Sequence, residues 1–292
     1  MRAFEYRAPT TLSEALKLLA EARGEVRPLA GGTDLVPQVR EGRKRPTLVL
    51  DVKRVPELRR LEYDPGMGLR LGAAVPCSVI ASYPQVRRYF PALAQACALV
   101  GSVQIQNRAS VGGNICNASP SADTVPPLLC LDARAFIAGG RGQREVALES
   151  FFRGPGRTIL ARDELLVEVV VPPPPRNSAA SYLRFIPRNE MDIAVAGVAS
   201  LVVLDGGRQC QEARIALAAV APRPTRAPEA EAALQGRSLD SKALEEAGEL
   251  AAKMAKPITD IRGGAEYRRE LVKVLTRRAL EQCLEALKRG PR

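Results

Sequence analysis

Two glycine pairs far apart in the chain are the residues best suited to chemistry: Ala30-Gly31-Gly32-Thr33-Asp34 and Ser110-Val111-Gly112-Gly113-Asn114. Adjacent glycines permit positive φ and let backbone N–H groups approach an anion with no Cβ in the way. Two such loops can clasp one diphosphate, meeting its charges with donors at set positions. Gly31, Gly32, Gly112 and Gly113 are the candidate phosphate-binding positions, and Thr33, Ser110 and Asn114 can add directional hydrogen bonds. Ordinary turn stabilisation is the alternative use of the same residues. Neither pair has the G-x-G-x-x-G spacing of a doubly wound dinucleotide-binding sheet.

Composition narrows the remaining chemistry. With no histidine there is no Ser-His-Asp triad, no histidine-ligated metal and no histidyl-flavin bond, so acid–base work falls to Asp, Glu, Lys, Tyr or Cys. The cysteines Cys77, Cys97, Cys116, Cys130, Cys210 and Cys283 form no C-x-x-C pair or tight cluster, and buried free thiols are expected rather than a metal site. A net charge of +11 invites nucleic acid, yet the basic residues are spread along the chain, Trp is absent, and no basic block is interleaved with aromatic residues. The expectation is no nucleic-acid binding; a basic face would dock an acidic partner or attract nucleotide phosphates. Residues 193–204, the longest membrane-like run, fall short of the roughly 20 needed to span a bilayer, so no transmembrane segment is expected. Met1-Arg2-Ala3-Phe4-Glu5-Tyr6 lacks the apolar core of a signal peptide, which gives a cytoplasmic expectation.

The elements that must position the two loops are short. Thr11 or Ser13 followed by an acid, then apolar residues at helical spacing, predicts a helix over 11–20. Strands are predicted at 25–29 and 46–52 around the first glycine pair, making a small α/β unit. Short strands follow over 58–75, broken by the turn Asp64-Pro65-Gly66, and helices over 78–82 and 91–101 lead to the second pair. Residues 133–138 and 144–148 read as strands about the turn Gly139-Gly140-Arg141-Gly142, with another strand at 165–171. Pro172-Pro173-Pro174-Pro175 stops that strand and marks a domain boundary. Beyond it, strands at 181–187, 194–204 and 212–220, with Asp205-Gly206-Gly207 as a hairpin turn between the last two, precede helices near 228–234, 241–255 and 264–288.

The stretch from Arg27 and Pro28 through Leu29 to Asp34, the stretch from Ser110 to Pro120 with Asp123 after it, and Asp163-Glu164-Leu165-Leu166 before a proline together resemble the FAD-binding medium subunit of the molybdenum hydroxylases. That family includes xanthine dehydrogenase and carbon monoxide dehydrogenase. The likeness runs in order from the first residues to about Pro172 and more loosely to the C-terminus.

It implies an α+β chain with a two-subdomain FAD-binding domain of the PCMH (vanillyl-alcohol oxidase-like) type over 1–175, the subdomains being about 1–55 and 56–175. A C-terminal α+β domain with a three-stranded antiparallel sheet and helices over 176–292 would complete it. The resemblance implies cofactor contacts from Arg27, Pro28, Leu29, Ala30, Gly31, Gly32, Thr33 and Asp34 in the first motif, and from Ser110, Val111, Gly112, Gly113 and Asn114 in the second. Asp123 matches an acid that contacts the flavin nucleotide, its alternative use being a helix N-cap. Val100 and Leu166 match positions where a side chain packs on the cofactor, and both also suit a plain core. Arg184 falls where the family often has a lysine near the flavin ring; arginine keeps the charge and changes the geometry. Arg188 and Asp192 resemble the start of the family's C-terminal domain, with surface or interdomain ion pairs as the alternative.

By the same resemblance, the chain is an electron-transferring oxidoreductase subunit with no catalytic residue and no metal of its own. FAD would accept electrons from 2Fe-2S clusters on a small partner and pass them to NAD, a quinone or oxygen, while a large partner carries molybdopterin. A free-standing FAD-dependent oxidase and a non-catalytic assembly or interaction protein are the alternatives from other classes.

Overall fold

The computed structural model describes residues 3–188, 190–206 and 208–289. Its first unit is a parallel three-stranded sheet, β1 (Glu5–Arg7), β2 (Val26–Leu29) and β3 (Leu48–Asp51), in the order β1-β3-β2. Helix α1 (Leu12–Glu21) links the first two strands and α2 (Leu35–Arg40) the next pair. The start of α1 is a reciprocal cap: Thr11 Oγ1 accepts from the Glu14 N–H at 3.2 Å, while Glu14 accepts from the Thr10 N–H at 3.0 Å. The buried stripe of α1, Ala15 and Leu19, packs with Leu50, Val52 and Leu58, and reaches Ala74 and Leu165 of the next unit. One apolar seam therefore ties the two units together.

The second unit is an antiparallel sheet of β4 (Leu61–Asp64), β5 (Gly68–Gly72), β6 (Arg134–Gly139) and β7 (Gly142–Ala147), with a small β8–β9 hairpin (Phe152–Gly154, Arg157–Thr158) outside it and β10 (Glu164–Val171) at its centre. The strand order is β4-β5-β10-β6-β7. The β4–β5 turn is held by Asp64 Oδ1, which accepts from the N–H groups of Gly66 and Met67 at 2.8 and 2.9 Å. Between β5 and β6 run six short helices: α3 (Cys77–Ser82), α4 (Pro84–Tyr89), α5 (Pro91–Ala98), α6 (Val103–Gln106), α7 (Val111–Asn117) and α8 (Val125–Cys130). The helix expected over 91–101 ends at Ala98, before Gly101 turns the chain at φ +55°.

After the proline run comes an antiparallel sheet of β11 (Ser178–Phe185), β12 (Ala196–Leu204), β13 (Cys210–Ala218) and β14 (Thr225–Arg226). The last is a two-residue edge added to the three expected strands. Of the turn expected between β12 and β13, Gly207 lies outside the described residues; Asp205 closes it by donating its N–H to Gln209 O at 2.9 Å. Helices α9 (Pro228–Ala232), α10 (Ser241–Met254) and α11 (Ala265–Lys288) follow.

This sheet is a middle layer. Ala199, Leu201 and Val203 of β12 face the core of the second unit, whereas Ala196, Val198 and Val202 pack under α10 and α11. Burial on both faces explains why β12 reads as a continuous apolar run rather than an alternating one. Its role is to press residues of β11 against the loop that follows the second glycine pair. No helix among the described residues is long and apolar enough to cross a membrane. Cys77, Cys97, Cys130, Cys210 and Cys283 are buried free thiols as expected; Cys116 departs from that expectation and is exposed on α7.

Candidate functional site

The first glycine pair leaves β2 at Leu29 and turns into α2. Gly32 holds φ +77°, in the region that favours glycine, and its carbonyl accepts the Val36 N–H at 2.9 Å. Gly31 is required for a different reason: a Cβ there would lie 2.1 Å from Arg108 O and 2.8 Å from Ala109 Cα. The two motifs, separate in sequence, therefore touch through backbone, with Ala109 leading directly into Ser110. A hydrogen bond from Gln38 Nε2 of α2 to Asn117 Oδ1 of α7 at 3.3 Å adds a second tie.

The second pair does not form the expected turn. Gly112 and Gly113 lie in the first turn of α7, whose N-cap is Ser110, with Ser110 Oγ accepting the Gly113 N–H at 3.1 Å. Glycine at 112 serves close packing, since a Cβ there would come within 2.4 Å of Ala73. Ser110 Oγ is thus engaged in capping, and Gly113 spends its amide on the cap. The Val111 amide is engaged by the isolated antiparallel bridge that pairs Ser110 with Pro76, and the Gly112 amide remains among the unpaired donors of a helix start.

Among the described residues, no acceptor is offered to the N–H groups of Gly31, Gly32, Thr33, Asp34 or Gly112. Unpaired amides on two touching backbones, with side chains excluded at Gly31 and Gly112, form a cradle suited to an anionic diphosphate. Thr33 is half-buried beside it, and Asp34 is the exposed N-cap of α2 without a side-chain cap bond.

Asn114, one turn into α7, is held by Thr124, whose hydroxyl donates to Asn114 Oδ1 at 2.7 Å. That bond leaves the N–H₂ end of the Asn114 amide as its donor. Beside Thr124, Asp123 is buried and accepts from Tyr182 Oη at 2.7 Å and Arg184 Nη1 at 2.6 Å. The N-cap alternative for Asp123 is overturned: Thr124 occupies the N-cap position of α8, without a side-chain cap bond, and the Asp123 carboxylate turns to β11. Burial pushes the Asp123 carboxyl above the ordinary carboxylate range, against the pull of the Arg184 charge and the Tyr182 hydrogen bond. The same burial, with the carboxylate beside it, raises the Tyr182 hydroxyl well above its usual value. Arg184 keeps a buried Nε with no partner among the described residues.

Other expected positions are more remote from the cradle. Arg27 and Pro28 lie in β2; the Arg27 guanidinium pairs with Glu25 at 2.6 Å, and Pro28 sits on an edge strand where its missing N–H is harmless. Leu29 packs under Gly32, and Ala30 rests on the seam between the first two units. Leu166 is buried in β10, the strand against which α7 packs, and half-buried Val100 follows α5; both join the main core. Arg188 pairs with Asp192 at 3.3 Å, and Arg262 approaches Asp192 at 3.9 Å, so these are ion pairs of the C-terminal domain. Sequence reasoning passed over Tyr182, Thr124 and Gln38. Tyr182 had a readable signal, because residues two apart on a strand share a face and Arg184 was already a candidate.

Comparison with known proteins gives a consistent assignment. The family model described as the FAD binding domain in molybdopterin dehydrogenase matches residues 2–174, and that of the CO dehydrogenase flavoprotein C-terminal domain matches residues 181–283. A xanthine dehydrogenase FAD-binding subunit of Escherichia coli O157:H7 is 33% identical over 96% of each chain. A chain of the solved carbon monoxide dehydrogenase from Hydrogenophaga pseudoflava superposes with a TM-score of 0.93 at 32% identity, covering 97% of this chain and 98% of that one. A chain of quinoline 2-oxidoreductase from Pseudomonas putida 86 gives 0.91 at 31% identity, covering 98% of both.

Proposed function

Since the chain belongs to the FAD-binding subunits of the molybdopterin dehydrogenases, we propose that it holds FAD in the double-glycine cradle and serves as the electron-transfer subunit of a molybdenum hydroxylase complex. The observation that carries this reading is the contact of Gly31 with the Arg108–Ala109 backbone, which sets the free amides of both motifs side by side. The amides from Gly31 to Asp34, with that of Gly112, would hold the diphosphate. Thr33 and Asn114 would add side-chain donors, and Arg184 would place its charge near the flavin. When bound, FAD supplies the step from single-electron iron–sulfur donors to an external acceptor such as NAD, a quinone or oxygen. The chain's own residues bind, orient and charge-balance the cofactor, and none is assigned a catalytic proton transfer.

The domain division falls at the proline run, with FAD on the first 175 residues and a C-terminal domain behind it. A small subunit with 2Fe-2S clusters and a large molybdopterin subunit would complete a cytoplasmic heterotrimer. The test is co-expression with an iron–sulfur subunit and a molybdopterin subunit. Co-elution of flavin and iron–sulfur absorbance, with flavin bleaching on anaerobic reduction, is the expected result. Elution of this chain alone and without flavin would overturn the reading.

A further inference from the structure

We propose that Tyr182 is a positioning residue of the FAD site, acting through Asp123 on Arg184. The inference rests on the reading that this chain binds FAD, and names a residue outside both glycine motifs. Tyr182 and Arg184 stand two apart on β11 and project from one face toward the same carboxylate, taking one oxygen each, at 2.7 and 2.6 Å. Tyr182 is fully buried and the Arg184 side chain only 5% exposed, so water is a poor substitute for either bond.

The strand register makes room for this arrangement. Arg184 pairs with Gly197 of β12, and a Cβ at 197 would lie 2.8 Å from Tyr182 Oη. The absent side chain is the space through which the hydroxyl reaches Asp123. Asp123 adjoins Thr124, which holds Asn114 in α7, so the clamp joins the C-terminal domain to the second glycine motif. Without the Tyr182 hydroxyl, the carboxylate is held from one side only, and the guanidinium loses the alignment that directs its unpartnered Nε.

The test is a double-mutant cycle on FAD affinity, measured by fluorescence titration of the full chain, with folding checked by thermal melts. Tyr182→Phe keeps the ring and is expected to weaken FAD about tenfold, the scale of one hydrogen bond. In an Arg184→Met background, the same change is expected to alter affinity by less than about twofold. Gly197→Ala, which displaces the hydroxyl without removing it, should reproduce the loss. If Arg184→Met does not fold, Asp123→Asn replaces it in the cycle with the same expectation. Unchanged affinity in Tyr182→Phe, or losses that multiply in the double variant, would overturn the positioning role. A folded wild-type chain that takes up no FAD would overturn the functional reading, and this inference with it.

Discussion

Replacing Gly31 by alanine tests the cradle at its tightest point. The added Cβ would sit 2.1 Å from Arg108 O and 2.8 Å from Ala109 Cα, and both neighbours are backbone with no rotamer to yield. A carbon–oxygen contact needs about 3.3 Å, so the two glycine motifs must separate by roughly 1 Å. Hydrogen bonds from one motif to a shared diphosphate would then stretch past useful range. Each bond to a charged group is worth about 1.5–3 kcal/mol, and losing one or two costs about 3 kcal/mol, roughly a hundredfold in Kd. Gly113→Ala is the matched control, because its Cβ meets only Ser110 Oγ at 3.0 Å, and alanine suits a helix better than glycine. Its FAD affinity should stay within about threefold of wild type, ~0.7 kcal/mol. The assay is quenching of flavin fluorescence on titration, beside circular dichroism melts showing both variants folded. A folded Gly31→Ala chain with wild-type FAD affinity would refute the reasoning.

Gly32→Val should also lose FAD, through strain at φ +77° more than through contact, since its nearest neighbour is the movable Leu29 Cδ1; a backbone penalty on the order of 1–2 kcal/mol is expected in the melt. Gly248→Ala places a Cβ 2.8 Å from Lys273 O where α10 meets α11. Calorimetry should show destabilisation of about 1–3 kcal/mol, with FAD affinity unchanged because the contact lies on the far face of the C-terminal sheet. Glu164 accepts from Arg144 at 2.8 and 2.7 Å and from the Ala161 N–H at 2.8 Å, and its carboxyl is drawn down to about 2. A folded-state value below the unfolded one stabilises above the ordinary glutamate range, and that gain is lost as pH falls toward 2. The stability difference between wild type and Glu164→Gln, on the order of 1 kcal/mol for a pair screened by water, should be full at pH 6 and mostly lost by pH 2 in denaturant titrations.

Much of the scaffold was legible because local chemistry and tertiary structure agree there. Thr11 with Glu14 forms the expected cap, the Gly139–Gly142 turn joins two strands in register, and the proline run separates β10 from β11. The second glycine motif was misread as a turn because glycine disfavours helices locally, whereas the Ser110 cap and close packing on Ala73 outweigh that preference. Strands β1 and β14 are too short for any periodicity to declare them; β1 exists by pairing in parallel with β3. For Asp123 the neighbouring sequence suggested a cap, but its actual partners come from a strand beyond the proline run. Such a pairing follows only from β11 docking on the second unit, which no local pattern encodes.

The most direct test of the cradle is a titration of the purified full chain with FAD and, in parallel, with FMN, which lacks the second phosphate and the adenylate. Free amides on two touching motifs predict saturable, roughly stoichiometric FAD uptake and much weaker uptake of FMN. Equal affinity for both flavins, or no uptake of FAD by the folded chain, would contradict the diphosphate clasp.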